Sequence, residues 1–207
     1  MNEIIIPNTC CHNYSEYEMT LLDWEEKPSE KKPIVDIGAG FSTLILDPKF
    51  ADRVINIDPV YGIDSVETVT NRVVADVTAA LHDKSFASLK TETMVTRVTR
   101  ILEHKGKYPD QFVTGCAPEA LYGYPNDSFY LAISLDCVLK DPEKVETSLL
   151  ILQEMLRIAP EARIAFSDRR GVLEGIIPLI QEQMPSINCT VKEVGPHGER
   201  LTLKREE

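Results

Sequence analysis

The sequence lacks the cysteine pairs that build zinc sites and disulfide frameworks. Its 5 cysteines are an odd number, and no two of them form a Cys-x-x-Cys pair. Adjacent ligands such as those in the Cys-Cys-His run at residues 10–12 cannot easily close a tetrahedral metal site. The sequence therefore predicts neither a disulfide-rich secreted domain nor a metal centre. The cysteines are Cys10, Cys11, Cys116, Cys137 and Cys189.

The chain is also poor in positive charge and in long apolar runs. It has 22 Lys and Arg against 33 Asp and Glu, which gives a formal net charge of -11. This charge opposes an extended contact with nucleic acid or with an anionic membrane. No apolar run approaches the length of a membrane span, and residues 1–7 carry an acidic residue where a secretory signal carries positive charge. We therefore expect a cytoplasmic protein with a small-molecule partner.

The stretch at residues 33–46 predicts a buried parallel strand that turns sharply into a helix. Apolar residues run into Asp36, and Gly38 and Gly40 follow at alternate positions. Because glycine has no β-carbon, this backbone can take positive φ and lie against a ligand, beside the first amides of the helix. Pro48 predicts that the helix is short, since it removes an amide and clashes with the preceding turn.

A second acidic residue, Asp58, ends the next apolar run. A carboxylate at the tip of the second strand lies across the crevice from the glycines and accepts hydrogen bonds from both hydroxyls of a ribose. The dinucleotide fingerprint requires a third glycine three residues after Gly40, where this chain has Thr43. That difference disfavours a nicotinamide oxidoreductase. A glycine-rich turn that binds no ligand is the plainer alternative.

Taken together, Asp36-x-Gly38-x-Gly40 and the later Asp58 resemble the first two motifs of class I S-adenosylmethionine-dependent methyltransferases. The resemblance implies S-adenosylmethionine as the cofactor, with the glycines at its methionine and ribose end and Asp58 at the ribose. It also implies that a loop after the third strand borders the adenine and that the end of the fourth strand faces the reacting methyl group. The residues it assigns to the cofactor are Asp36, Gly38, Ala39, Gly40, Asp58, Pro59, Cys116, Ala117, Ser134 and Leu135.

The chain departs from this family pattern at two positions. Cys116 and Tyr130 stand where family members often have acidic residues. These departures favour an alternative in which the protein is a methyltransferase-like binding or regulatory protein without turnover.

Four further residues are candidates for contact with a substrate, and each has a plainer alternative. Asp136 either faces the substrate or caps the next turn, while Arg169 and Arg170 either bind an anionic substrate group or are solvated. Tyr14 is either a lid over the cofactor or part of the buried stripe of a leading helix. A fifth candidate, Tyr61, either lies against the adenine or is a packed loop aromatic.

The apolar patterns along the chain predict one α/β domain over residues 1–207. Residues 1–32 are expected to form a leading helix and connector, and residues 64–107 a two-helix insertion after the second strand. Alternating residues at 189–194 and 200–204, around a Gly-Pro-His-Gly turn, predict a terminal hairpin. With the resemblance, these elements imply a Rossmann-like, seven-stranded class I methyltransferase sheet that a closing antiparallel hairpin completes.

Overall fold

The structure is a computed structural model that describes residues 33–62, 67–68, 71, 84–135, 137–139, 145–166, 172–194 and 198–206. The predicted leading helix at residues 1–32 and the first helix of the insertion fall outside the described residues, apart from 67–68 and 71, which are helical. Tyr14, Asp136, Arg169 and Arg170 also lie outside them. Their assignments stay predictions.

Within the described residues, seven strands form one sheet in the order β3-β2-β1-β4-β5-β7-β6. The first five strands run parallel, and β7 is antiparallel to both β5 and β6. This arrangement confirms the predicted seven-stranded sheet and its closing hairpin. The strands are β1 (Ile34–Ile37), β2 (Val54–Ile57), β3 (Phe112–Val113), β4 (Leu131–Leu135), β5 (Glu161–Phe166), β6 (Ile187–Val194) and β7 (Gly198–Arg205).

Three α-helices lie among the described elements, α1 (Lys84–Lys107), α2 (Val145–Ile158) and α3 (Val172–Gln183). Helix α1 is the predicted second helix of the insertion, and α3 continues through Pro178 as expected. In α2, Leu149, Leu152 and Met155 repeat at every third position and are buried, which fixes the face that meets the sheet. None of the helices that the structure describes is long and apolar enough to span a membrane.

The hydrophobic core lies on both faces of the sheet, as the continuous apolar strands predict. One face packs against α2 and α3, and the other packs against α1 and the segment after β1. The central strands are therefore buried on both sides, and only their ends reach the surface. Representative side chains are Val35, Ala132, Ile164, Leu152 and Ile180 on the first face, and Ile34, Ile133, Phe41, Ile45 and Ile101 on the second.

The segment after β1 differs from its prediction. It forms a 3-10 helix of three residues, Leu44–Leu46, instead of the expected α-helix. Asp47 then takes an extended conformation with ψ of 128°, because the ring of Pro48 disfavours a helical residue before it. The helix is short as predicted, and the predicted contribution of its amides to ligand binding stays a prediction.

Candidate functional site

Both glycines of the turn that follows β1 adopt the left-handed conformation that the sequence predicted. Gly38 has φ of 71° and Gly40 has φ of 52°. Residues with a β-carbon pay a steric cost in this region, so the conformation itself explains why both positions hold glycine. The amide of Gly38 donates to the carbonyl of Ile57 at 2.9 Å, which ties the turn to the end of β2. We call residues 38–40 the glycine turn.

Asp58 lies directly beside the glycine turn. Its Oδ2 accepts the amide of Gly40 at 2.9 Å, and its Oδ1 accepts the amide of Val60 at 2.8 Å. The structure thus brings together the two groups that the sequence placed on either side of one crevice. A carboxylate has about four lone-pair sites, so these two bonds leave acceptor capacity for the hydroxyls of a ligand.

The environment of Asp58 changes its acidity. Burial raises the pKa of this carboxyl above its ordinary value, because removal from water disfavours the charged form. The amides of Val60 and Gly40 act in the opposite direction, and burial is the larger effect.

Tyr61 contacts the glycine turn through its hydroxyl group. Its hydroxyl donates to the carbonyl of Gly40 at 2.5 Å, and its ring meets Phe112 edge to face with centroids 5.0 Å apart. The side chain is only 1% exposed. The interpretation of Tyr61 as a packed loop aromatic is therefore correct, because its ring lies buried against Phe112 of β3, and stacking on an adenine is wrong. The pattern of the sequence did not reveal the hydroxyl contact, because the partners stand 21 residues apart.

The loop at residues 114–126, which we call the β3 loop, begins next to Asp58. The amide of Asp58 donates to the carbonyl of Val113 at 3.1 Å, at the end of β3. Two residues into the loop, the carbonyl of Cys116 accepts the amide of Ala120 at 2.9 Å, while the Cys116 side chain is exposed. Ala117 is half-buried. Cys116 and Ala117 thus lie in the loop after β3 that the resemblance implied, and their contact with an adenine stays a prediction.

Three other predicted cofactor residues have buried side chains. Asp36 and Ser134 are 0% exposed and Leu135 is 1% exposed. The hydroxyl of Ser134 donates to the carbonyl of Ile37 at 2.9 Å and accepts the amide of Val138 at 3.3 Å. Ser134 therefore joins the ends of β1 and β4. The predicted orientation of Ser134 and Leu135 toward a reacting methyl group and the predicted cofactor contact of Asp36 stay predictions.

Cys137 reaches the glycine turn from the end of β4. A β-carbon added to Gly38 would lie 2.2 Å from Cys137 Sγ and 2.5 Å from Cys137 Cβ. Internal packing against Cys137 is therefore part of the reason why position 38 requires glycine. The contact lies where strand order reverses between β1 and β4, which is where open α/β sheets bind ligands. The end of β4 was expected opposite the glycine turn, but no role in the site was predicted for Cys137 itself.

Metal ligands do not cluster in the described part of the chain. There, no group of three or more His, Cys, Asp and Glu side chains is arranged to hold an ion.

Comparison with known proteins finds no matching family model and no matching curated protein. Similar solved structures include a SAM dependent methyltransferase from Aquifex aeolicus, 16% identical, with a TM-score of 0.45 over 93% of this chain and 87% of that one. Another is an rRNA methylase from Escherichia coli, 15% identical, with a TM-score of 0.44 over 84% of this chain and 57% of that one. Strand order and direction decide the fold. The chain has a class I methyltransferase-like fold.

Within this methyltransferase-like fold, four adjacent strands each place residues of the candidate site at their carboxyl ends. The glycine turn follows β1, Asp58 and Pro59 follow β2, Cys116 and Ala117 follow β3, and Cys137 follows β4. Parallel strands place all four ends at one edge of the sheet, so one ligand can contact them together.

The first prediction concerns Gly38. We expect Gly38→Ala to lower the free energy of unfolding by about 2 kcal/mol or more, from left-handed strain and from the clash with Cys137. Urea unfolding measures the change, and Gly123→Ala is the control because a β-carbon there meets nothing within 4 Å. Adding Cys137→Gly should recover the clash component alone. A Gly38→Ala protein as stable as the Gly123→Ala protein would contradict this packing.

The second prediction concerns the pH dependence of stability. Because the folded pKa of Asp58 is raised, the folded state binds more protons than the unfolded state between the two pKa values. Its stabilising contribution is complete below the unfolded pKa, about 4, and is lost as the pH rises through the folded value. The free energy of unfolding of the native protein should therefore fall relative to Asp58→Asn as the pH rises above about 4. Urea unfolding of both proteins across pH tests this, and a constant difference would refute it.

Proposed function

We propose that the protein is an S-adenosylmethionine-dependent methyltransferase that acts on a small-molecule acceptor. The observation that carries the proposal is the 2.9 Å contact between the Gly40 amide and the Asp58 carboxylate, at the ends of adjacent parallel strands. A left-handed glycine backbone and an acceptor carboxylate are the two groups that an adenosine ligand requires at this position.

The residues present fit such a cofactor on its ribose side. Asp58 keeps acceptor capacity beyond its two backbone bonds, and the β3 loop begins at its side with Cys116 and Ala117 near the proposed adenine. At the methionine side the cofactor would approach Gly38, Ala39 and Gly40, and there it would meet the thiol of Cys137.

In the proposed reaction, the protein mainly binds and aligns its reactants. S-adenosylmethionine supplies a methyl group on a sulfonium, which leaves as a neutral thioether when a nucleophile attacks in line. A general base is needed only where the acceptor is protonated, so no residue of this chain is assigned that role. Asp58 and the glycine turn would hold the cofactor, and the chain's contribution to rate would come from this positioning.

A small acceptor is proposed because the formal net charge of -11 disfavours a long contact with a polyanion. The candidates for contact with this acceptor remain Asp136, Arg169, Arg170 and Tyr14.

A second candidate function is a methyltransferase-like protein that binds a ligand without turnover. Two observations favour it. The side chain of Cys137 fills the space beside Gly38, and Cys116 is exposed at the position where an acidic residue often binds the adenine amino group. A thermal-shift panel with S-adenosylmethionine, S-adenosylhomocysteine and NAD separates adenosine-thioether binding from nicotinamide binding, because a ligand of the native state raises Tm. Release of S-adenosylhomocysteine in the presence of metabolite extracts then separates turnover from binding alone.

The third prediction tests the cofactor site directly. We expect Asp58→Ala to weaken S-adenosylhomocysteine binding by about 1 to 3 kcal/mol, since charge-assisted hydrogen bonds to the ribose are lost. Isothermal calorimetry measures the affinity. Asp47→Ala is the matched control, because Asp47 Oδ1 also accepts a backbone amide, that of Lys49 at 2.8 Å, at an exposed position.

The control variant should bind as the native protein does. Equal affinity of the Asp58→Ala and Asp47→Ala proteins would remove Asp58 from the site. A native protein that binds no adenosine thioether would overturn the proposed function.

A further inference from the structure

One side chain, Arg157 of α2, holds the far end of the β3 loop. Its Nη2 donates to the carbonyl of Leu121 at 2.9 Å, and its Nη1 donates to the carbonyl of Tyr124 at 2.7 Å. The same Nη1 donates to Asn126 Oδ1 at 3.1 Å. Its Nε donates to Glu154 Oε2 at 2.8 Å, one helical turn earlier, which fixes the orientation of the guanidinium.

The backbone of Arg157 makes a further contact with the residue that follows the β3 loop. Its carbonyl accepts the amide of Asp127 at 3.2 Å. The end of the loop is therefore bound to α2 through both the side chain and the main chain of one residue.

The other end of the β3 loop is bound at the candidate site. Val113 accepts the amide of Asp58, and a β-carbon on Gly115 would lie 3.0 Å from Ala120 Cβ. Between the two ends, the regular structure of the loop is a 3-10 helix of three residues, Glu119–Leu121. So short a helix does little to fix the path of a loop, so the position of Cys116 depends on the packing of Ala117 and Leu121 with the core and on what holds each end of the loop.

We propose that Arg157 is a positioning residue that sets the β3 loop against the adenine side of the candidate site. The inference rests on the proposed function for the identity of the ligand. The contacts of Arg157 with the loop carbonyls stand independently of it.

The planar guanidinium suits this task in a way that lysine does not. It presents several donors in a fixed fork, and here three of its bonds reach acceptors spread over six residues of the loop. An ammonium group is a point donor and cannot reach those acceptors at once. The Arg157 side chain is 28% exposed at its ion pair with Glu154. The pair therefore adds little to the free energy of folding and mainly orients the guanidinium.

The test uses Arg157→Gln, Arg157→Lys and a matched control. Arg205→Gln is the control because the Arg205 side chain pairs with Asp127, which lies just outside the β3 loop. Peptide-resolved hydrogen exchange measures the loop, in which the amides of Leu121, Tyr122 and Tyr124 are bonded to backbone carbonyls. Calorimetry with S-adenosylhomocysteine measures the site in the same proteins.

We expect both Arg157 variants to exchange faster at residues 119–124 and to bind S-adenosylhomocysteine about tenfold more weakly, which corresponds to the loss of one hydrogen bond between the displaced loop and the adenine. The Arg205→Gln protein should match the native protein in both measurements. Arg157→Lys keeps the charge, so it decides the result if Arg157→Gln does not fold.

Each other outcome overturns a distinct claim. Unchanged exchange in the loop would refute the anchoring role of Arg157. Faster exchange with unchanged affinity would refute the link between the loop and the site. A native protein that binds no S-adenosylhomocysteine, yet shows faster loop exchange in the variants, would overturn the proposed function and with it the adenine role, while the anchoring contact would stand.

Discussion

The hydrogen bond from the Gly40 amide to the Asp58 carboxylate is the contact on which the candidate site depends. It joins the turn after β1 to the end of β2 and forms only because Gly38 and Gly40 take positive φ. Tyr61 holds the opposite side of the same turn through the Gly40 carbonyl. Both backbone groups of Gly40 are therefore fixed by side chains from the segment after β2, which gives the turn one defined shape.

The same groups serve the fold and the proposed ligand, and this sharing has two effects. A turn already fixed by internal bonds loses little freedom when a ligand binds, which favours affinity. Partial burial of Asp58, however, disfavours its charged form, and Cys137 fills the space beside Gly38. A ligand at the methionine side must accommodate that thiol, so Cys137 is the residue at which the methyltransferase and the non-catalytic interpretations differ most.

Sequence patterns predicted the parts of the structure that periodicity and turn chemistry control. The buried strands follow from continuous apolar runs, the glycine turn from two glycines after a strand, and the hairpin from alternation around residues 195–198. The 3-10 form of the helix after the turn was not predicted, because Pro48 was expected only to shorten an α-helix, whereas it also holds Asp47 in an extended conformation.

Other features of the site have no signature along the chain. The contacts of Tyr61 with Gly40, of Cys137 with Gly38 and of Arg157 with Leu121 join residues distant in sequence. They form only when strand order and helix packing bring the partners together. Side-chain burial is also set by this packing, so sequence patterns did not show that Ser134 lies buried within the sheet.

The most direct test of the account is a two-dimensional amide NMR titration of the native protein with S-adenosylhomocysteine. The account predicts saturable shifts of the amides of Gly38, Gly40, Val60 and Cys116, because all lie at the carboxyl edge of β1, β2 and β3. Residues of β6, at the far edge of the sheet, should not move. Saturable shifts confined to β6 and β7, or no shifts at millimolar ligand, would contradict the claim that this edge is an adenosine site.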